Sequence, residues 1–477
     1  MVWFLIALPL LAAALAFLSP SSRFRARLLP AVGALHLACV LFALRGWDVV
    51  PADAWLGLDA LGGWTLLVVS VLFCFCAFYA PAYLALRPDR DNRVFVTSFL
   101  SFLGLASLLA EARHPGLVWV AMETTTLATA PLIYFNRNRR SLEATWKYLI
   151  IGSVGIALAL LGTLFLAYSA HMGGLQEPLF FTSLTQGASR LSRPWLRAGF
   201  VLSLVGYGTK MGLAPLHTWK PDAYGESPGV IGALLAGGVT SCAFLALLRI
   251  FAIVAAAGEI QFARELMVGM GLLSMVWAAV FMVRQLDIRR LLAYSSVEHM
   301  GILAFGIGIG GRAARFALFH LAANALVKGV LFMSAGNINR SYASKRLPYV
   351  TGAIRRTPVS GWLFFLGFLA ITGTPPFAPF ISEFNIAATA LTPPYLWTGV
   401  AFLVLLGGIF LAMSDTVLKV VFGTPPPDRV RTPYRDTAAT TAPLVIALLL
   451  TVVLCLWLPA PLDHMIRSAA NLVEGQP

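Results

Sequence analysis

Residues 206–229 read GYGTKMGLAPLHTWKPDAYGESPG, and the ten residues before them, LRAGFVLSLV (196–205), form half of an apolar membrane helix. Lys210 sits inside this run, and Pro215, Pro221 and Pro228 then interrupt it. A proline removes a backbone donor and frees the carbonyl four residues earlier. In lipid, backbone with freed polar groups is tolerated only where it faces protein or a water-filled cavity. The stretch therefore reads as a broken membrane helix that holds a titratable lysine at a hydrated site.

The rest of the chain has the same character. Its 477 residues are 58% hydrophobic and 12% charged, against about 25% charged in soluble domains. Apolar runs long enough to cross roughly 30 Å of hydrocarbon recur from end to end. Run length and punctuation predict an all-α polytopic membrane protein with about fourteen transmembrane helices. The spans lie near 2–18, 28–46, 62–86, 95–110, 115–135, 145–168, 197–217, 228–255, 265–283, 289–309, 313–338, 358–390, 395–418 and 438–460. Helices 7 and 12 are the broken ones. The first run, VWFLIALPLLAAALAFL, lacks a basic start and a small-residue cleavage site, so it is expected to stay as a membrane helix. The longest polar connections, 170–196 and 339–357, are loop-sized.

The charge pattern fits this count. Roughly two-thirds of the 35 basic residues fall in loops after odd-numbered spans, among them Arg137, Arg139, Arg140, Lys220, Arg289, Arg290, Lys345, Arg429 and Arg431. By the positive-inside rule those loops face the cytoplasm and both termini face outward, as in a bacterial-type inner membrane. The net charge of +14 is then mostly topological. Spread over short loops, it forms no patch that would bind nucleic acid. The five cysteines form no C-x-x-C, so no iron–sulfur or zinc site is expected. GIGIGG (306–311) ends a span with no strand before it, which excludes a phosphate-binding loop. No flavin, nicotinamide, quinone or nickel site is visible, so no cofactor is expected in this chain.

Four ionisable residues lie within spans: Glu123, Lys210, Lys328 and Glu383. Each costs at least about 2.5–3.5 kcal/mol to insert at mid-bilayer, and so needs a partner, water or a function. The seventh and twelfth spans, each with a charge beside its break, are five apart. So are the fifth and tenth, which carry Glu123 and Glu298. This spacing predicts two five-helix repeats, 95–255 (helices 4–8) and 265–418 (helices 9–13). Residues 1–94 (helices 1–3) precede them and 438–477 (helix 14 and tail) follow. Because five is odd, the second repeat is inverted. His320 shares a helix face with Lys328 and can pass protons near neutral pH, whereas a lone buried histidine is as often a packing residue. His217 and His299 read as lying at span ends.

The pieces WVAMETTTLA, TKMGLAPLHTWKPDA, DIRRLLAYSSVEHMG, HLAANALVKGVLF and GTPPFAPFISEF run from about 115 to 390. In order and spacing they resemble the antiporter-like membrane subunits of respiratory complex I, membrane-bound hydrogenases and multi-subunit cation/proton antiporters. SLEATWKYLIIGSVGIALALLGTLFL (141–166) is most similar to hydrogenase-4 component F. The resemblance implies a fourteen-helix fold and a mid-membrane relay of Glu123, Lys210, His320, Lys328 and Glu383. Accessory positions are His217, Ser241, Glu298, His299 and Asn324. Ser241 stands where some relatives have lysine, and Asn324 where some have a second histidine. Arg289 and Arg290 replace a common lysine. Lys220 and Tyr224 replace leucine and histidine. The chain ends without the long lateral helix of the most distal complex I subunit.

The function expected from these residues is proton translocation in a redox-linked complex. Glu123 would hold Lys210 charged, since nearby opposite charges favour both ionised forms. Drawing Glu123 away would let the lysine release its proton through water to His320, Lys328 and Glu383. A serine at 241 holds no proton, so ordered water would have to bridge Lys210 and His320. Redox centres of iron–sulfur, flavin or nickel–iron type would belong to partner subunits, membrane or soluble. Alternatives are a cation/proton antiporter moving Na+, a membrane module for inorganic-carbon uptake with a zinc-bearing partner, and a scaffold with an inactive channel.

Overall fold

Hydrophobic runs with no exposed polar edge can satisfy their backbone in lipid only as helices or closed barrels, and this chain takes the helical solution. The computed structural model describes residues 2–46, 54–175, 179–424 and 432–475, so Arg429, Arg431 and part of the 170–196 connection lie outside the described residues. The helices are α1 (Val2–Leu18), α2 (Ser22–Ala43), α3 (Ala60–Ala85), α4 (Arg93–Glu111), α5 (Pro115–Ile133), α6 (Arg139–Met172) and the short α7 (Phe181–Gln186). Then come α8 (Arg193–Met211), α9 (Trp219–Glu226), α10 (Gly229–Leu234), α11 (Thr240–Ala256), α12 (Ile260–Met282), α13 (Ile288–Ile309) and α14 (Arg312–Tyr342). The rest are α15 (Ala353–Arg356), α16 (Pro358–Ile371), α17 (Ala378–Ala390), α18 (Leu396–Phe422), α19 (Ala438–Leu456) and α20 (Ala460–Val473). Among the described residues, 11 helices are long and apolar enough to cross a membrane. The protein is multi-pass.

Burial sorts the helices into an interior and a rim. Almost every residue of α13 and α14 is buried, and α14 packs on α10, α13, α16, α17 and α19. On the rim, α18 turns Val404 and Leu411 outward at 68% and 69% exposure, which suits hydrocarbon and not water. Without a hydrophobic drive between helices in lipid, small residues let backbones meet. Gly206 of α8 shows this: a Cβ there would lie 2.5 Å from the Ala159 nitrogen and 2.6 Å from the Gly155 carbonyl of α6.

The quoted stretch is a helix, a turn and a second helix. α8 stops at Met211 with Gly212 left-handed at φ +82. The Gly212 and Leu213 amides return to the Gly208 carbonyl at 2.7 and 2.8 Å. Trp219 at the start of α9 donates its indole N–H to the Thr209 carbonyl at 2.8 Å, and the Ala214 amide reaches Ser274 Oγ of α12 at 2.9 Å. The groups freed by the interruption thus find protein partners. A second interruption separates α16 from α17, where Gly373 has φ +69 and the Thr374 amide bonds the Leu369 carbonyl at 3.0 Å.

Between α10 and α11 the chain winds as a π-helix, Leu235–Val239, which composition did not announce. π turns appear mostly as single bulges, frequently at functional sites. Three readings need correction here. Lys220, counted above among basic loop residues, is fully buried on α9, because α9 folds back into the bundle. Arg289, counted the same way, is also buried and donates to the Ser227 carbonyl at 2.8 Å. His299, read as lying at a span end, is fully buried halfway along α13, since the helix begins at Ile288 and runs to Ile309.

Candidate functional site

The first cluster forms where α5, α6 and α8 meet. Lys210 is 0% exposed near the end of α8, and its Nζ donates to Thr126 Oγ1 of α5 at 2.5 Å. The amine lies 4.9 Å from the Tyr148 ring centroid, a cation–π distance. The Tyr148 hydroxyl shares a 2.7 Å hydrogen bond with Thr129. Gly152 of α6 makes the room, since a Cβ there would touch the amine.

Glu123, one turn before Thr126 on α5, is half-buried. Its Oε1 accepts from Ser153 Oγ at 3.0 Å and its Oε2 has no partner. Among the described residues there is no Glu123–Lys210 ion pair within 4.0 Å, so hydroxyls rather than the carboxylate touch the lysine. Val120 and Leu127, on either side of Glu123, are 45% and 58% exposed, which puts this face of α5 at the lateral surface.

The second cluster lies in the core between α13, α14 and α17. Lys328 is 0% exposed and donates from Nζ to Ser295 Oγ at 2.6 Å. Three residues on, Glu298 is buried with its Oε2 3.7 Å from His299 Nε2. His299 Nδ1 meets His320 Nε2 at 3.0 Å, and His320 Nδ1 meets Ser382 Oγ at 2.7 Å. Ser382 gives its own hydrogen to the Pro379 carbonyl at 2.8 Å. Glu383, the next residue, is buried with Oε1 unpartnered.

These partners fix the tautomers. A serine hydroxyl has one hydrogen. Because Ser382 donates it to Pro379, His320 must donate from Nδ1. In neutral His320, Nε2 is then an acceptor and takes the hydrogen of His299 Nδ1, which leaves the lone pair of His299 Nε2 facing Glu298. A proton arriving at His299 Nε2 can push one from His299 Nδ1 onto His320, and then one from His320 Nδ1 toward Ser382 and Glu383. The path ends at an opening: Glu383 lines a cavity of about 280 Å³ with Thr372, Gly373, Phe384 and Phe410.

Of the remaining predicted positions, Ser241 sits just past the π turn and spends its hydroxyl on the Gly237 carbonyl at 2.6 Å. Asn324 is buried between His320 and Lys328 on α14, with Oδ1 unpartnered. His217 lies in the turn between α8 and α9 edge-on to Trp277 and Tyr294, outside both clusters. The structure thus gathers Glu298, His299, His320, Lys328 and Glu383 in one place and sets Glu123 and Lys210 in another. His299, His320 and Glu383 offer ligand atoms within 4.8 Å of one another, the donor types of a transition-metal site. Two of the four ring nitrogens are engaged with each other and a third with serine, which favours carrying a proton over holding an ion. Sequence reasoning missed Thr126 and Ser295, since hydroxyls in an apolar run carry no distinctive signal.

At the odd-loop face, α6, α9 and α13 enclose a charged cavity of about 180 Å³. In it Asp222 binds Arg290 and, at 2.8 Å, Lys147, while Lys345 binds Glu226 at 2.9 Å and Asp287 at 3.2 Å.

Comparison with known proteins gives one consistent result. The sequence family described as NADH:quinone oxidoreductase/Mrp antiporter, transmembrane, matches residues 112–410. The hydrogenase-4 component F homolog of Methylacidiphilum infernorum is 35% identical over 388 residues, covering 79% of this chain and 80% of that protein. A chain of respiratory complex I from Thermus thermophilus superposes with a TM-score of 0.76 at 26% identity, covering 96% of this chain and 97% of that one. A chain of the Mrp complex from Dietzia gives a TM-score of 0.88 at 20% identity, over 99% and 97%, and shares the fold.

Proposed function

This chain belongs to the NADH:quinone oxidoreductase/Mrp antiporter membrane family, and on that premise we propose that it is the proton-translocating subunit of a redox-linked inner-membrane complex. The relay runs from Glu123 and Lys210 to Lys328, Glu298, His299, His320 and Glu383. The observation that carries this reading is the hydrogen-bonded line Glu298–His299–His320–Ser382 beside Lys328, buried in a chain that spans lipid. Buried ionisable groups in a membrane interior mark ion paths by default.

Joining α8 to α9, and α16 to α17, makes fourteen spans, of which the fourth to eighth and ninth to thirteenth form two inverted repeats. The odd loops face the cytoplasm and both termini face outward. The charged cavity around Asp222 then admits protons from the cytoplasm, and the cavity beside Glu383 leads away from the second cluster. Glu123, at the edge of the lateral face of α5, is where a neighbouring subunit acts on Lys210. Electrons reach iron–sulfur, flavin or nickel–iron centres in those partners, because this sequence carries neither a C-x-x-C pair nor a nucleotide-binding loop.

Protons are preferred over sodium as the cargo. A hard cation takes oxygen ligands, whereas the second cluster supplies two imidazoles and one carboxylate. The test uses the intact complex, purified through a tag on this chain and reconstituted in vesicles. Lys210→Ala should leave its driving reaction running and abolish acidification of the lumen. Unchanged proton movement would end the reading, and acidification that requires Na+ would replace it with cation exchange.

A further inference from the structure

A fifth buried base lies in the bundle that the relay above does not use. Lys220 is 0% exposed on α9, and the hydrogen bond it makes, to the Ser296 carbonyl, is long at 3.3 Å. Among the described residues no carboxylate comes within 4.0 Å of its amine. A buried cation held for structure is normally paired and fully hydrogen-bonded, because desolvation otherwise exceeds the gain. A buried lysine without a counter-ion is the kind that exchanges its proton.

Its position is specific. The Lys220 stem lies on Gly212, where a Cβ would overlap its Cε and stand 2.7 Å from its Nζ. Gly212 is two residues beyond Lys210, and the Trp219–Thr209 hydrogen bond fastens the start of α9 to the same end of α8. On its other side the amine meets Ser296, whose neighbour Ser295 holds Lys328 at 2.6 Å. The ionisable groups in electrostatic reach are Lys328 and His299 from the second cluster, and His217 from the turn after α8. The Tyr224 ring lies 5.9 Å away on α9 itself.

We propose that Lys220 is a proton station between the two clusters, taking a proton released by Lys210 and handing it to the Lys328–Glu298 group. The proposal rests on the proton-translocating reading above. In the first step Lys210 goes from ammonium to amine as Lys220 goes from amine to ammonium. In the second the proton passes on to the Lys328 amine or the Glu298 carboxylate. No electrons move and total charge is conserved. Ser241 cannot fill this place, because its hydroxyl hydrogen is given to the Gly237 carbonyl.

The experiment compares Lys220→Met and Lys220→Arg with Lys210→Ala in the intact complex. Assembly is read on native gels, and proton movement in vesicles by the fluorescence of trapped pyranine. Methionine carries no proton and arginine does not give one up. Both Lys220 variants should assemble, run the driving reaction, and move protons more slowly by about tenfold or more. Wild-type translocation by either variant would overturn the proposal: methionine by showing that the amine is dispensable, arginine by showing that a fixed charge suffices. Failure of both to assemble would also overturn it, since Lys220 would then be structural. If Lys210→Ala itself pumps normally, the underlying reading fails, whatever Lys220 does.

Discussion

Lys210 and Lys328 each answer to a hydroxyl and not to a carboxylate within contact: Thr126 Oγ1 at 2.5 Å and Ser295 Oγ at 2.6 Å. A hydroxyl accepts from an ammonium and donates to an amine, so it stabilises the lysine in either protonation state. A direct ion pair would hold it in one. Thr126→Val keeps the shape and removes the acceptor. It should cost about 1–3 kcal/mol of stability, read as a lower melting temperature of the detergent-solubilised chain, with slower proton movement. Ser382→Ala should disturb translocation more than stability, since it frees the tautomer of His320; the check is the rate of lumen acidification at equal assembly. The lysines were legible because a charge in an apolar run is an anomaly on any hydropathy reading. Lys220 was not, because WKPDAYGE has the composition of a polar loop and only the return of α9 into the bundle buries it. Glu298 and His299 were seen but underrated, since helix registers cannot be counted across a chain without caps.

The prolines of 206–229 announced an interruption, and the backbone does stop at Met211 and restart at Trp219. The π turn Leu235–Val239 was invisible, because LAGGV reads the same in either winding. What distinguishes it is tertiary: Gly237 lies against Ala325 of α14 and Leu72 of α3, and Gly238 against Phe102 of α4. Close approach also decides the α6–α8 contact. Gly206→Leu would drive a side chain into the Ala159 backbone, and overpacking of this kind costs about 1–3 kcal/mol or more. The expected result is reduced yield of assembled complex; a normal yield and melting temperature would show that the two helices can part.

The bundle is organised around α13 and α14, which are buried nearly throughout, with apolar side chains turned outward on the rim helices. Composition was enough to tell that the chain crosses a membrane many times, because an apolar surface this extensive has no soluble alternative. Which helices occupy the centre was less legible, since all are apolar and burial depends on neighbours. Orientation can be tested with single cysteines in a chain whose five native cysteines are replaced. A membrane-impermeant thiol reagent should label Arg137→Cys in inverted vesicles and Arg190→Cys in intact cells; the opposite pattern would reverse the topology.

The most direct measurement is the number of protons moved per turnover by the reconstituted complex carrying His320→Met. Residue 320 joins His299 to Ser382 and has no substitute in the line. If protons pass along that line, the driving reaction continues or slows while the ratio falls toward zero. An unchanged ratio would mean that protons cross elsewhere and that the buried histidines only pack.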